Sequence, residues 1–172
     1  SRRVKKGDMF FSLKGKKFNG DKFIKEAILK GAKVVICSKK TKIIYKDFPI
    51  VKVNNPRDCL TFACKKFFNI KPKNIIAVTG TNGKSSVADF FHQILRKNNK
   101  SVGTIGTLGI KRNNSTIKTS LTSPDIISLH KELYKMKKLG IDNVIIEASS
   151  HGLVQGRLKG INFKAGIFTN FS

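Results

Sequence analysis

An apolar run at residues 74–78 breaks into a polar, glycine-containing loop, and an amphipathic run over residues 84–97 follows at once. The loop reads Thr79-Gly80-Thr81-Asn82-Gly83-Lys84-Ser85-Ser86. Gly80 and Gly83 permit a tight turn whose N–H groups converge on an anion. A helix opening directly after the loop aims its N-terminus, about half a positive charge, at the same point. Lys84 is placed to reach β- and γ-phosphates, and Ser85 stands where a hydroxyl coordinates Mg²⁺. Gly80, Thr81, Asn82, Gly83, Lys84, Ser85 and Ser86 are therefore the expected ATP site. A strict phosphate-loop consensus has Gly where Val78 stands, so this is a variant loop.

The flanking pattern extends the constraint. Downstream, strands are expected at 101–105, 143–148 and 163–169, with a loop or hairpin around Arg112-Asn113-Asn114. A helix opens at Ser123 or Pro124 and stops at Gly140. On the helix at 84–97, Val87, Phe90, Phe91, Ile94 and Leu95 are expected to face inward. Upstream, strands are expected at 7–13, 33–37 and 50–53, with a turn at 15–20. Helices are expected at 21–30 and 56–68, the second capped by Asn55, with Pro56 at its first position. Leu60, Ala63, Cys64 and Phe67 form its apolar stripe. Residues 69–73 read as a linker, so the chain is divided into domains 1–70 and 71–172. Strands alternating with helices imply an α/β fold with a mostly parallel sheet: a small N-terminal domain, then a phosphate-loop domain.

The chain of 172 residues carries 35 Lys+Arg against 10 Asp+Glu, a net charge of +25. Such an excess attracts polyanions. The basic residues are spread along the chain, however, and Arg, the better reader of bases, is scarce beside Lys. A solvated, lysine-biased surface is the expectation, with no specific nucleic-acid partner. No apolar run approaches the ~20 residues of a membrane span. No secretory leader is read at the first residues, and in the absence of a starting Met the true N-terminus is expected upstream. Cys37, Cys59 and Cys64 are an odd number without a CxxC pair, which argues for reduced thiols in the cytoplasm.

The loop resembles the phosphate loop of the Mur ligases and their folylpolyglutamate synthase relatives. Three further segments resemble the MurE type within that family, the UDP-N-acetylmuramoyl-L-alanyl-D-glutamate ligases. They are Gly7-Asp8-Met9-Phe10-Phe11-Ser12-Leu13 with Asn19-Gly20; Leu121-Thr122-Ser123-Pro124-Asp125; and Glu147-Ala148-Ser149-Ser150-His151-Gly152-Leu153-Val154-Gln155-Gly156-Arg157, followed by Phe168-Thr169-Asn170-Phe171-Ser172. The resemblance implies a UDP-binding N-terminal domain and a central ATPase domain. Ser1, Lys16, Lys17 and Phe18 would lie along the UDP group. Thr122, Ser123, Ser149, Gln155 and Arg157 would hold the UDP-MurNAc-dipeptide. Lys84 and Glu147 would be catalytic, with Ser85 and Glu147 on Mg²⁺. The implied enzyme is a monomeric, ATP-dependent ligase of peptidoglycan synthesis, joining a diamino acid to UDP-MurNAc-L-Ala-D-Glu. Two departures are small: Leu121 where some relatives have Asn, and Ser85-Ser86 where Thr-Thr is commoner. The family's stretch after Ser172, its carbamoylated lysine and its C-terminal domain are not in the sequence, so the chain reads as truncated within the ATPase domain.

The residues themselves leave alternatives open. Glu147 ends an apolar strand, where ligands gather in open α/β sheets, and is either a Mg²⁺ ligand or a capping, salt-bridging acid. Arg157 suits a bidentate grip on a carboxylate or phosphate, or is surface charge. Thr122 and Ser123 either cap the helix at Pro124, bind ligand, or both. His151 is a ligand contact or a structural hydrogen bonder, while His92 and His130 read as surface or core residues. Ser150-His151 does not make a hydrolase, because no Gly-x-Ser-x-Gly elbow exists. A sister ligase and a basic phosphate-loop ATPase acting on nucleic acid remain the other readings.

Overall fold

The computed structural model describes residues 4–15, 18–43, 45–113, 115–117 and 124–171. The chain divides into two units, Ser1–Ala63 and Cys64–Ser172.

The first unit is built on a three-stranded parallel sheet of β1 (Met9–Phe11), β2 (Val34–Ser38) and β3 (Ile50–Val53), in that order. β1 is shorter than the 7–13 expected: its ladder with β2 pairs Met9 with Val34, Phe10 with Val35 and Phe11 with Ile36. The expected helix at 21–30 opens as a 3-10 turn, Gly20–Phe23, capped by the Asn19 side chain, and continues as α1 (Ile24–Leu29). Ile24 and Ala27 bury the inner face of α1 against Phe10, Val35 and Cys37. The helix α2 (Pro56–Phe67) starts at the proline, as expected. Its apolar stripe is narrower than expected. Leu60 and Cys64 are buried, but Phe67 is exposed and meets Phe68 edge-on, with ring centroids 5.0 Å apart.

The second unit holds a six-stranded sheet. Its elements in chain order are β4 (Asn74–Thr79), α3 (Lys84–Lys97), β5 (Val102–Gly106), β6 (Gly109–Arg112), β7 (Ser115–Ile117), α4 (Ile126–Lys138), β8 (Asn143–Glu147), α5 (Ser150–Val154) and β9 (Ala165–Phe168). The sheet order is β7-β6-β5-β8-β4-β9. β5, β8, β4 and β9 run parallel, while β6 and β7 are antiparallel, so the hairpin alternative around Arg112 is the one observed. The α/β, mostly parallel expectation thus holds in both units.

α4 presents Leu129, Leu133 and Met136 to a core that also takes Val144 and Ile146 from β8. Its cap is Asp125, whose carboxylate accepts the Ile127 and Ser128 N–H groups at 3.0 Å each. Thr122 and Ser123 lie outside the described residues. α3 corrects the expected inward set. Val87, Ala88 and Phe91 pack on Val78 and Ile145, but Phe90 and Ile94 are 62% and 59% exposed. The helix meets the sheet along one narrow side, and its apolar residues are spread more widely than that contact.

Candidate functional site

β4 pairs with β8 in parallel, and the register sets Val78 opposite Glu147. The carboxyl ends of both strands therefore stop at the same level, where the loop between β4 and α3 begins. The turn requires its glycines. Gly80 has φ +136°, and a Cβ there would run into the Thr169 hydroxyl; Gly83 has φ +80° and is the residue from which α3 starts. Val87 N–H, donating to Gly83 O at 2.9 Å, is the first helical amide to reach back into the loop. The N–H groups ahead of it have no acceptor within the helix and point out of its end. Lys84 folds over the loop, its Nζ donating to Gly80 O (2.7 Å) and Thr81 O (2.8 Å).

Glu147 is 2% exposed, so its carboxylate needs partners. Ser85 Oγ donates to Oε2 at 2.9 Å, Thr107 Oγ1 to Oε2 at 3.0 Å, and Thr107 N–H to Oε1 at 3.1 Å. Gly106 makes room for this arrangement, because a Cβ on it would occupy the place of the Glu147 carboxylate. Sequence reasoning missed both Gly106 and Thr107; the only signal was their position at the end of a strand neighbouring β8.

The oxygens present fit Mg²⁺. Adjacent ligands of an octahedron with 2.0–2.1 Å bonds lie about 2.8–3.0 Å apart, and Ser85 Oγ and Glu147 Oε2 have that separation, 2.9 Å. Among the described residues no group of three or more His, Cys, Asp or Glu gathers around a common point. Two protein oxygens suit an ion that keeps several waters and takes phosphate oxygens for the rest.

Thr79, Gly80, Thr81 and Lys84 line a cleft of ≈ 440 Å³ with Ser149, Ser150, Phe168, Asn170 and Phe171. Ser149 is thus brought beside the loop, and its oxygen also caps α5 by accepting Gly152 N–H at 3.1 Å. Gln155 and Arg157 are joined to each other, Arg157 Nε donating to Gln155 Oε1 at 2.9 Å, and neither is among the residues lining that cleft. His151 is exposed on α5. His92 and His130 are structural, bonding through Nε2 to Asn113 O and Lys159 O at 3.0 Å each.

The first unit has its own cleft of ≈ 380 Å³. Its floor is fixed by Asp21, whose carboxylate accepts Ser12 Oγ (2.5 Å) and Thr41 Oγ1 (3.0 Å). Lys14, Lys40 and Arg57 give its lining a positive charge suited to a diphosphate. Phe18 is 71% exposed, and its carbonyl accepts the Gly15 N–H at 2.9 Å. Ser1, Lys16 and Lys17 lie outside the described residues. Sequence reasoning gave no individual binding role to Ser12, Asp21 or Thr41, which build this floor.

A parallel strand, a glycine-bounded Lys-Ser loop and a helix opening from it define a phosphate-loop α/β protein. The description Mur ligase middle domain fits residues 78–172, and Mur ligase family, catalytic domain, fits residues 1–67. The chain belongs to the Mur ligase family. It is 41% identical, over its whole length, to a UDP-N-acetylmuramoyl-L-alanyl-D-glutamate--2,6-diaminopimelate ligase of Bradyrhizobium diazoefficiens, and 39% identical to one of Clostridium tetani. It spans 35% and 36% of the length of those relatives. A solved structure of a ligase of the same name superposes on 99% of this chain with a TM-score of 0.82 at 28% identity, the chain covering 35% of it. The Thermotoga maritima MurF ligase, solved with ADP, shares the fold at a TM-score of 0.62 and 22% identity, over 98% of this chain and 36% of its own.

Proposed function

We propose that this chain is the UDP- and ATP-gripping part of an amide-forming ligase of peptidoglycan synthesis. In the reaction, ATP phosphorylates the D-Glu carboxylate of UDP-MurNAc-L-Ala-D-Glu. The acyl phosphate is attacked by the amine of a diamino acid, and phosphate leaves. The relatives are named for 2,6-diaminopimelate, and that is the acceptor we assign.

The observation that carries this reading is the bond from Ser85 to the buried Glu147 at the mouth of the loop. A hydroxyl in the first turn of the helix and a carboxylate on the neighbouring strand are held together where a nucleotide's phosphates would arrive. The Gly80–Ser86 loop supplies first-turn N–H groups and the Lys84 ammonium, which offset phosphate charge and orient the transferred group. Mg²⁺, held by Ser85 and Glu147, would supply charge neutralisation on the phosphates. Ser149, Gln155 and Arg157, together with Thr122 and Ser123, are assigned to the UDP-MurNAc-dipeptide. Ser1, Lys16, Lys17 and Phe18 are assigned to its UDP end, in domain 1–70 ahead of the ATPase domain 71–172. The assignment is to a cytoplasmic monomer; no helix among the described residues is long and apolar enough to cross a membrane.

Calorimetric titration of this chain with ATP, with and without Mg²⁺, tests the reading. Binding that strengthens with Mg²⁺ is expected. No binding to the wild-type chain, or binding that survives Lys84→Ala and Glu147→Gln unchanged, overturns it.

A further inference from the structure

Beyond the end of β9 the chain holds the phosphate loop by more than strand pairing. Thr169 N–H extends the ladder to Thr79 O at 2.9 Å. The next contacts are of another kind. Thr169 Oγ1 donates to Asn82 O at 2.6 Å, with Thr79 O at 3.3 Å. The Asn170 carbonyl accepts Thr81 N–H at 3.1 Å, and Asn170 Oδ1 accepts Asn82 N–H at 3.0 Å. The approach is close enough to forbid a side chain, since a Cβ at Gly80 would also lie 3.0 Å from both Asn170 N and O.

These bonds decide which loop amides can receive an anion. A loop of this kind offers two sets of N–H groups, those of its crown and those of the helix's first turn. Here the crown is taken up. Thr81 and Asn82 give their N–H groups to Asn170, Asn82 gives its carbonyl to Thr169, and Lys84 holds the carbonyls of Gly80 and Thr81. What remains directed outward is the first turn of α3.

We propose that Thr169 and Asn170 are positioning residues that latch the crown of the phosphate loop, so that phosphate is received by the first turn of α3 and by Lys84. The proposal rests on the nucleotide reading above. An unlatched crown has to be ordered again at each binding event, and its two amides are free to turn to competing conformations.

The test uses this chain, with amide exchange and ATP titration read side by side. Asn170 is exposed, so Asn170→Ala leaves the core intact. In Asn170→Ala the Asn82 amide, which loses its Oδ1 acceptor, should exchange at least about tenfold faster, while the Thr81 amide, held by the main-chain carbonyl at position 170, and the amides of β4 and α3 keep wild-type protection. Affinity for Mg-ATP should fall roughly threefold to tenfold, the effect of losing an ordinary hydrogen bond. Asn170→Asp retains the accepting oxygen and should retain the amide protection. A latch is excluded if Thr81 and Asn82 amides exchange freely in the wild type, or if exchange of the Asn82 amide is unchanged in Asn170→Ala. Equal ATP affinity in wild type and Asn170→Ala removes the positioning role and leaves the nucleotide reading standing. No ATP binding by the wild type removes both.

Discussion

Ser85 Oγ stands 2.9 Å from Glu147 Oε2 across 62 positions of sequence. One residue opens a helix and the other ends a strand five elements later in the chain, so only the parallel pairing of β4 with β8 brings them together. Glu147→Gln keeps the shape of the side chain and removes its charge. ATP affinity measured without Mg²⁺ should change little, and the gain that Mg²⁺ brings should fall tenfold or more, the scale of a charge-assisted bond. An unchanged response to Mg²⁺ would make Glu147 a brace for Ser85 and Thr107 only.

Gly106 tests the same carboxylate from the opposite side. Gly106→Ala places a methyl group where the Glu147 carboxylate sits. Overpacking of this kind costs about 1–3 kcal/mol, to be read in urea denaturation. Because Glu147 must move, the Mg²⁺ response should be lost together with the stability. A variant as stable as wild type would show that the strand end yields without cost.

Arg112 and Glu132 form a bidentate pair between β6 and α4, with Nε–Oε1 at 2.5 Å and Nη2–Oε2 at 2.7 Å. The two side chains are 17% and 8% exposed, so removing one partner leaves a nearly buried charge. Glu132→Ala should therefore destabilise the chain by about 3 kcal/mol, while Arg112→Met with Glu132→Leu should come close to neutral. Chemical denaturation of both variants checks this, and a small loss in Glu132→Ala would mean that water reaches the guanidinium.

The elements that frame the phosphate loop were legible because their signals are local. A run of apolar residues, two glycines and an amphipathic stretch each act within a few positions, and β4, the loop and α3 follow from them. The same holds for α2, which begins at Pro56. The partners of the site were not legible. Thr107 and Asn170 reach the site through the register of neighbouring strands, and a Thr or Asn at a strand end has no pattern of its own. Asp21, which fixes the floor of the first cleft, looked like any helix-opening acid. Phe90 and Ile94 misled because helical periodicity marks an apolar face without stating how much of it another layer covers.

His130 gives the fold a dependence on pH. It is 0% exposed, and its Nδ1 has no partner. Burial lowers its pKa; the Lys159 carbonyl opposes that shift, and the Lys71 and Lys65 charges add to it. The unfolded chain takes up the proton at about pH 6.5, whereas the folded chain takes it up only at lower pH, so acid favours unfolding. The stability linked to neutral His130 is fully present above pH 6.5 and is lost as pH falls from there through the folded pKa. His92, also lowered by burial, adds to the same window. The urea midpoint should drop as pH is lowered from about 7.5 to about 5, and His130→Gln should flatten that drop.

Lys84 and Arg157 are assigned to different ligands, and this separates them experimentally. Lys84 lies against the loop carbonyls of Gly80 and Thr81, at the place where phosphates would enter. Arg157 stands after α5, paired with Gln155 through Nε and tied by its own N–H to Gly152 O at 2.9 Å. Loss of a charge-assisted hydrogen bond costs about 1.5–3 kcal/mol, or roughly tenfold or more in affinity. Lys84→Ala should thus weaken Mg-ATP binding by that factor while UDP-MurNAc-L-Ala-D-Glu binds as in the wild type. Arg157→Ala should do the reverse. If Arg157 is no more than surface charge, both affinities stay within about twofold of wild type. Calorimetric titration of each ligand into each variant decides the matter. Weaker ATP binding in Arg157→Ala, with the UDP substrate untouched, would move the loop after α5 to the nucleotide side of the site.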